Sequence, residues 1–235
     1  MSRLFEELDR RSTPMGEISV RRRLEPSLQV DVWEVILGEE HLMSSLFTEA
    51  EIQLAHLGLV QVPGRELDVV VGGLGLGYTA RAALEDRRVR SVRVIEALPE
   101  VIEWHERGLF PFAAELVTDP RCHLVRGDFF ATVAEGTPWE ADAPLLVHAV
   151  LLDVDHTPRH LLHPSHAAFY TADGLARLAG RLHPGGVFAL WSDAPPDDGF
   201  LAVVAEVFAS CEAHVVRFPN PHTGREASNT VYVAR

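Results

Sequence analysis

The sequence predicts an α/β protein with a mostly parallel sheet of about seven strands, preceded by a small antiparallel β segment. Residues Leu67 to Val71 (LDVVV) form a β-branched run that is apolar on both faces apart from Asp68, typical of a parallel strand covered by helices on both faces. The run leads into the glycine-rich stretch 72–77, and helix-forming residues follow from Thr79 to Glu85. Further apolar runs alternate with helical segments downstream. This alternation predicts a doubly wound, Rossmann-like domain.

The segment before this domain has a different pattern. Apolar and polar residues partly alternate over 17–24 and 28–36, which predicts a small antiparallel sheet. We therefore divide the chain into a small N-terminal β-sheet segment, residues 1–47, and a nucleoside-binding catalytic domain, residues 48–235. The three arginines at 21–23 are expected on a solvated edge strand, with an anion site as the alternative.

A capping box opens the main domain. Thr48 and Glu51 have the spacing of residues that cap each other's backbone amides, and this predicts a helix from there to about Gly58. Four strands are expected after the first: 91–95, 122–126, 148–152 and 186–190. Residues 213–218 and 230–233 are predicted to form a closing pair that completes the sheet.

The glycine-rich turn and the second strand together predict a nucleoside site. Gly73, Gly75 and Gly77 lack side chains where the backbone must turn and a ligand must come close. Glu96 ends the second strand about 20 residues after the last glycine, the spacing at which an acidic residue accepts from ribose hydroxyls. A tight turn without a ligand is the alternative.

Polar side chains follow the later strands at the same sheet edge, where ligands of open α/β sheets bind. Asp128 follows the third strand and is placed to accept from the exocyclic amine of an adenine, with a solvated turn aspartate as the alternative. The fourth and fifth strands deliver Asp153, Asp155, His156, Trp191 and Asp193. For Asp153 a plain strand-end cap is the alternative to a functional role.

Charge and composition exclude several classes. The net charge of −13 and pI of about 5.3 argue against binding to nucleic acid or an anionic membrane, and favour a small cationic substrate. All 21 basic residues are arginine, which excludes a lysine-dependent phosphate loop or Schiff base. Cys122 and Cys211 have neither disulfide-framework nor zinc spacing. No stretch has the pattern of a transmembrane helix or a signal peptide, so we expect a cytoplasmic protein.

A histidine-rich loop, residues 156–166, follows the fourth strand. It contains four histidines beside two aspartates, which raises the question of a metal site. Pro158 and Pro164 interrupt any helix that would align them, and the spacing matches no closed zinc site. We expect no metal and favour a lid with one or two titrating histidines, with ordinary packing as the alternative.

The order of these motifs resembles the class I S-adenosylmethionine-dependent transferases and, more closely, the spermidine synthases (polyamine aminopropyltransferases). The resemblance spans roughly residues 30–195. Its motifs are HLMSS (41–45), AHLGL (55–59), GGLGLG (72–77), DPR (119–121), GD (127–128), LD (152–153), FY (169–170) and LHPGGV (182–187). It implies a seven-stranded class I methyltransferase fold, S-adenosylmethionine or its decarboxylated form as co-substrate, no metal, and aminopropyl transfer to a small-molecule amine. It also allows a homodimer.

The resemblance assigns roles to individual residues. It gives Glu96 to the ribose, Asp128 to the adenine, and Asp153 to the carboxylate that helps to deprotonate the attacking amine, with Asp155 and His156 as further catalytic candidates. The remaining assignments are Gly72, Gly73, Gly75 and Gly77 for the co-substrate, and His41, Tyr170, Trp191 and Asp193 for the acceptor pocket.

The sequence departs from the family where the family holds its polyamine. Gly75 replaces an aspartate of the glycine loop, and residues 50–52 (Ala-Glu-Ile) replace Tyr-His-Glu. His41 and Trp191 each replace a glutamine. We therefore expect an altered acceptor pocket and weaker discrimination between the two co-substrate forms. A methyltransferase, or a nucleoside-binding protein without turnover, are the alternatives, and the acceptor is left open.

Overall fold

A computed structural model describes residues 4–235. Residues 5–44 form a four-stranded antiparallel sheet whose strands lie side by side in chain order. The strands are β1 (Phe5–Thr13), β2 (Gly16–Glu25), β3 (Val30–Leu37) and β4 (Glu40–Ser44). The predicted N-terminal sheet is therefore present, with two more strands than the alternation indicated.

The rest of the chain alternates helices with strands. In order these are α1 (Glu49–Val60), β5 (Leu67–Gly72), α2 (Tyr78–Glu85), β6 (Val89–Glu96), α3 (Pro99–Glu106), α4 (Ala113–Thr118), β7 (Cys122–Arg126), α5 (Phe129–Glu135), β8 (Val147–Leu152), α6 (Ala172–Ala179), β9 (Leu182–Ser192), α7 (Asp198–Ala205), β10 (Cys211–Asn220) and β11 (Arg225–Ala234). A short 3₁₀ helix covers Pro164–Ala168. No helix within residues 4–235 combines the length and the apolar composition needed to cross a membrane.

The second sheet has seven strands in the order β10-β11-β9-β8-β5-β6-β7. Strands β5 to β9 are parallel to one another, and β11 pairs antiparallel with both β9 and β10. The predicted fold class is confirmed, and the two late segments do form a closing antiparallel pair. Because β5 lies between β8 and β6 and is parallel to both, the carboxyl ends of these three strands meet at one edge.

Strand β5, which was predicted from its apolar residues, is buried on both faces. Val69 and Val71 point into a core formed with α1 to α4, whereas Val70 points into a second core formed with α5 to α7. All three side chains are fully buried. Alternate residues of a strand face opposite sides, so a strand covered on both sides is apolar on both faces. The exception in β5 is Asp68, near its start, which pairs with Arg90.

The N-terminal sheet packs against the main domain. Ile18, Val20 and Val35 belong to the same apolar core as helix α1. Strand β1 of this sheet also contacts helix α3, because Trp104 Nε1 donates to the Asp9 carboxylate at 3.0 Å. The division into domains at residues 47 and 48 stays a prediction.

The expectation of an exposed arginine edge is wrong. Strand β2, which carries the arginines, lies inside its sheet between β1 and β3. Arg21 and Arg23 donate to the buried carboxylate of Glu34 at 2.6 and 2.9 Å, and Arg22 pairs with Glu6 at 2.8 Å. The arginines are therefore neutralised across strands.

The prediction of a capping box at the start of α1 is also wrong, although the predicted helix is present. The Thr48 side chain makes no cap hydrogen bond, and its backbone N–H donates to the Glu49 carboxylate at 3.1 Å. The box needs the Glu51 carboxylate to accept from the Thr48 N–H, but Glu49 accepts from that N–H instead. The helix ends at Val60, slightly beyond the predicted Gly58.

Candidate functional site

The glycine loop and the end of β8 are in direct backbone contact. Gly73 has a φ of 90°, and a Cβ added there would lie 2.1 Å from the Asp153 carbonyl oxygen. The Asp153 N–H donates to the Gly72 carbonyl at 2.8 Å. A side chain at position 73 would therefore separate the two segments, which is a physical reason for glycine there.

Gly75 is held from several sides. A Cβ at this position would lie 3.0 Å from the Met43 sulfur, so β4 of the N-terminal sheet covers the loop. On the other side, His105 Nε2 lies 2.9 Å from the Gly75 carbonyl oxygen. Burial lowers the pKa of His105 to about 4, so the imidazole is neutral and Nε2–H is the donor. Met43 and His105 were missed from sequence, because neither stands in a local motif with the loop.

Glu96 lies at the end of β6, as predicted, and is buried. Its carboxylate accepts from the backbone N–H of Leu74 at 3.0 Å and of Leu98 at 2.8 Å. Burial raises the pKa of Glu96, while these amide hydrogen bonds lower it. Glu96 therefore holds the glycine loop in place. A carboxylate has about four lone-pair sites, so the ribose contact is compatible with this role and stays a prediction.

Asp128 is exposed and caps helix α5. Its Oδ1 accepts from the Ala131 N–H at 3.0 Å. This cap is the turn role given above as the alternative to ligand binding, and the capping hydrogen bond is made by Oδ1. Contact of the other oxygen with an adenine stays a prediction.

The Asp153 carboxyl lies half-buried at the end of β8 and contacts a side chain that the sequence analysis did not assign. Thr79 Oγ1 donates to Asp153 Oδ2 at 2.9 Å. Thr79 Oγ1 also lies 3.3 Å from the Glu51 carbonyl oxygen, so the first turn of α1 adjoins this strand end. Burial raises the pKa of the Asp153 and Glu51 carboxyls, and the Asp153 charge raises that of Glu51 further. Glu51 is one of the residues at which the sequence departs from the family motif. That departure was the signal in the sequence that pointed to this position.

Asp155 is the centre of a separate buried network. Its carboxylate accepts from Tyr170 Oη at 2.9 Å, from the Leu162 N–H at 2.7 Å, and lies 2.8 Å from His166 Nδ1. Phe130 stacks on the His166 ring, with centroids 3.8 Å apart. The structure thus brings Asp155 and Tyr170 together, but it shows no hydrogen bond from either to Asp153. Their catalytic and pocket roles stay predictions.

His156 and Asp193 join the loops that follow β8 and β9. The Asp193 N–H donates to the His156 carbonyl at 2.9 Å, and His156 Nδ1 lies 3.7 Å from the Asp193 carboxylate. The ring of His160 lies 4.9 Å from that of His156. These contacts hold the start of the histidine-rich loop over the carboxyl edge of the sheet.

The other two predicted pocket residues lie on different strands. His41 is exposed on β4. It pairs with Ile36 of β3, at the point where the register between the two strands shifts. Trp191 is half-buried on β9, packs against the core that contains α1, and has a buried Nε1 without a hydrogen-bond partner. Both stay predicted pocket residues.

The four histidines of the loop have different neighbours. His163 Nδ1 lies 2.7 Å from Ser165 Oγ, His166 contacts Asp155, and His156 and His160 face each other. In residues 4–235 no three His, Cys, Asp or Glu side chains converge as a metal site would require.

No protein-family model matches the chain. Among curated proteins it is similar to polyamine aminopropyltransferase 2 of Pseudomonas aeruginosa, with 28% identity over 163 residues. This match covers 65% of the chain and 43% of the relative. The chain therefore spans less than half the length of that protein.

Solved structures show the fold. A spermidine synthase in complex with the transition-state analogue AdoDATO has a TM-score of 0.75 at 17% identity, covering 97% of this chain and 73% of that one. Spermidine synthase from Thermotoga maritima has a TM-score of 0.74 at 18% identity, covering 97% and 72%. Human methyltransferase-like protein 13 in complex with SAH has a TM-score of 0.52 at 20% identity, covering 79% and 77%.

The chain therefore has a Rossmann-like, class I methyltransferase-like fold. Within that class its similarity in sequence and structure is to the spermidine synthases, which confirms the resemblance seen in the motifs.

Proposed function

We propose that the protein is a spermidine synthase-like transferase. It binds decarboxylated S-adenosylmethionine or S-adenosylmethionine, and it transfers the aminopropyl group of the decarboxylated form to a small-molecule amine. One observation carries the proposal. The Asp153 carboxyl, half-buried and without a cationic partner among the described residues, adjoins the glycine loop at the carboxyl edge of β8.

The chain offers suitable contacts for the nucleoside. Gly73 and Gly75 leave the loop backbone without side chains, Glu96 ends β6, and Asp128 follows the neighbouring strand β7. In this proposal Glu96 accepts from the ribose and Asp128 from the adenine amine. Holding the nucleoside and the amine at near-attack distance supplies much of the rate.

Asp153 acts as the general base. Its pKa is raised by burial, so it is a stronger proton acceptor than an ordinary carboxylate. Asp153 takes a proton from the ammonium of the acceptor, which frees the nitrogen lone pair. The nitrogen then bonds to the carbon beside the sulfonium, and the carbon–sulfur bond breaks with its electrons left on sulfur.

The acceptor site differs from that of the family. Glu51 replaces a histidine of the family motif, Met43 covers the uncharged Gly75, and Trp191 replaces a glutamine. We therefore expect slow turnover of putrescine. The missing charge at Gly75 is the observation that favours the second candidate, methyl transfer from S-adenosylmethionine. Assays with both co-substrate forms, followed by identification of the nucleoside product, test the proposed function. A homodimer and a cytoplasmic location stay predictions.

Replacing Glu96 by alanine is expected to weaken nucleoside binding by about 1.5–3 kcal/mol, because a charged hydrogen-bond acceptor is lost. Calorimetric titration with methylthioadenosine measures the effect. Glu106→Ala, at an exposed position of α3, is the matched control and is expected to bind normally. Equal affinities in the two variants would remove Glu96 from the binding site.

A further inference from the structure

Two backbone contacts fix the main chain of Asp153 but leave its side chain free to rotate. The Asp153 N–H donates to the Gly72 carbonyl at 2.8 Å, and a Cβ at Gly73 would lie 2.1 Å from the Asp153 carbonyl oxygen. Neither contact restrains the carboxyl group, which turns about two side-chain torsions. A general base acts only on a proton within hydrogen-bond reach, so the orientation of this carboxyl decides whether it can act.

The hydroxyl of Thr79 supplies the missing restraint. Thr79 Oγ1 donates to Asp153 Oδ2 at 2.9 Å, and within residues 4–235 no other side chain hydrogen-bonds this carboxylate. Thr79 is itself buried, and its Oγ1 lies 3.3 Å from the Glu51 carbonyl oxygen. A threonine hydroxyl has one proton to donate. The shorter contact takes that proton, because a hydrogen bond to a carboxylate is stronger than one to a neutral carbonyl.

Thr79 also connects the carboxyl to the glycine loop. The loop ends at Gly77, whose φ of 90° turns the chain into α2, and Thr79 is the second residue of that helix. One continuous segment therefore lines the proposed nucleoside site and orients the proposed base.

We propose that Thr79 is a positioning residue that holds Asp153 Oδ2 and leaves Oδ1 to receive the proton of the acceptor amine. This inference rests on the proposed function and deepens it, because it gives the two oxygens of the base different tasks. In the transfer step the ammonium gives one proton to Oδ1, and the freed nitrogen lone pair bonds to the carbon beside the sulfonium. The carbon–sulfur bond breaks with its electrons left on sulfur, and Thr79 keeps its own proton.

The same hydrogen bond changes the acidity of the base. Burial raises the pKa of Asp153, and the Thr79 hydroxyl lowers it, because a donor stabilises the ionised form. Two other titratable groups belong to the elements that meet here. Glu51 of α1 has a pKa that burial and the Asp153 charge raise, and Tyr78 of α2 has a phenol pKa that burial raises, so the phenol is neutral.

Two substitutions separate the hydroxyl from the shape of the side chain. Thr79→Val removes the hydroxyl and keeps the branching, whereas Thr79→Ser keeps the hydroxyl. The assay uses decarboxylated S-adenosylmethionine with putrescine, cadaverine or spermidine, whichever turns over fastest. Thr79→Val is expected to lower kcat by about 10-fold or more, because the carboxyl loses its orientation. The acid limb of its kcat/KM profile is expected to move up by about one pH unit, as for loss of a hydrogen bond to a charged group.

Thr79→Ser is expected to restore both the rate and the pH profile. Thr118→Val makes the same chemical change at an exposed position of α4 and is the matched control, with the wild-type profile expected. A purely structural threonine would not move the acid limb.

Nuclear magnetic resonance measures the contact without turnover. The Asp153 carboxyl signal of protein labelled with ¹³C-aspartate is identified by its absence in Asp153→Asn and is followed against pH. Its titration midpoint is expected to lie about one pH unit higher in Thr79→Val than in wild type, and near the wild-type value in Thr79→Ser.

An equal carboxyl midpoint in Thr79→Val and wild type would overturn the inference, whatever the effect on kcat. Amine-dependent methylthioadenosine from the wild type would in that case still support the proposed function. Absence of this product with all three amines would instead count against the proposed function, and the carboxyl titration would still decide whether Thr79 holds Asp153.

Discussion

Asp153→Asn is expected to lower kcat for amine transfer by about 10²–10⁴-fold, the range for loss of a general base. The amide is nearly the same size and still accepts from Thr79, so the fold and the glycine loop are preserved. Methylthioadenosine should therefore bind with nearly unchanged affinity. Steady-state kinetics and calorimetric titration of the same variant separate the two effects.

Asp142→Asn is the matched control, because Asp142 is exposed and distant in sequence from the strand ends that form the site. It is expected to retain wild-type kinetics. If Asp153→Asn raised KM and left kcat unchanged, Asp153 would bind the acceptor without acting as a base.

Gly73→Ala is expected to lower the free energy of unfolding by more than about 4 kcal/mol. Single substitutions cause losses of this size only when they create a specific structural conflict. The added Cβ would lie 2.1 Å from the Asp153 carbonyl oxygen, a backbone atom that cannot move without separating β5 from β8. Urea unfolding of the purified variant measures the loss.

Gly64→Ala separates steric conflict from backbone strain. Gly64 has the same φ of 90°, but nothing lies within 4 Å of an added Cβ. It is expected to lose only about 1–2 kcal/mol, the cost of the left-handed conformation for an L-residue. Equal losses in the two variants would mean that the contact between the loop and Asp153 does not constrain position 73.

The main sheet could be predicted because its strands are buried on both faces. The third predicted strand, residues 122–126, coincides with β7, and the other parallel strands were located to within a few residues. The N-terminal sheet was harder to predict from the sequence. Strand β1 (FEELDRRST) is largely exposed and charged, so alternation did not indicate it, and it forms by pairing with β2. The same pairing placed the arginines of β2 inside the sheet.

Site residues at strand ends were predictable because parallel strands deliver their carboxyl ends to one edge. Glu96, Asp128 and Asp153 lie where this rule placed them. The contacts of Thr79 with Asp153 and of His105 with Gly75 were not predictable in this way, because each joins a helix to the candidate site across a large sequence separation. No local pattern indicates such contacts.

Product identification tests the central claim most directly. The protein is incubated with S-adenosylmethionine or its decarboxylated form and a panel of amines, and the nucleoside product is identified by mass. Aminopropyl transfer predicts methylthioadenosine from the decarboxylated form, and only when an amine is present. With putrescine the rate is expected to be below about 1 per second, the lower end of typical turnover numbers. S-adenosylhomocysteine as the sole nucleoside product would contradict the account.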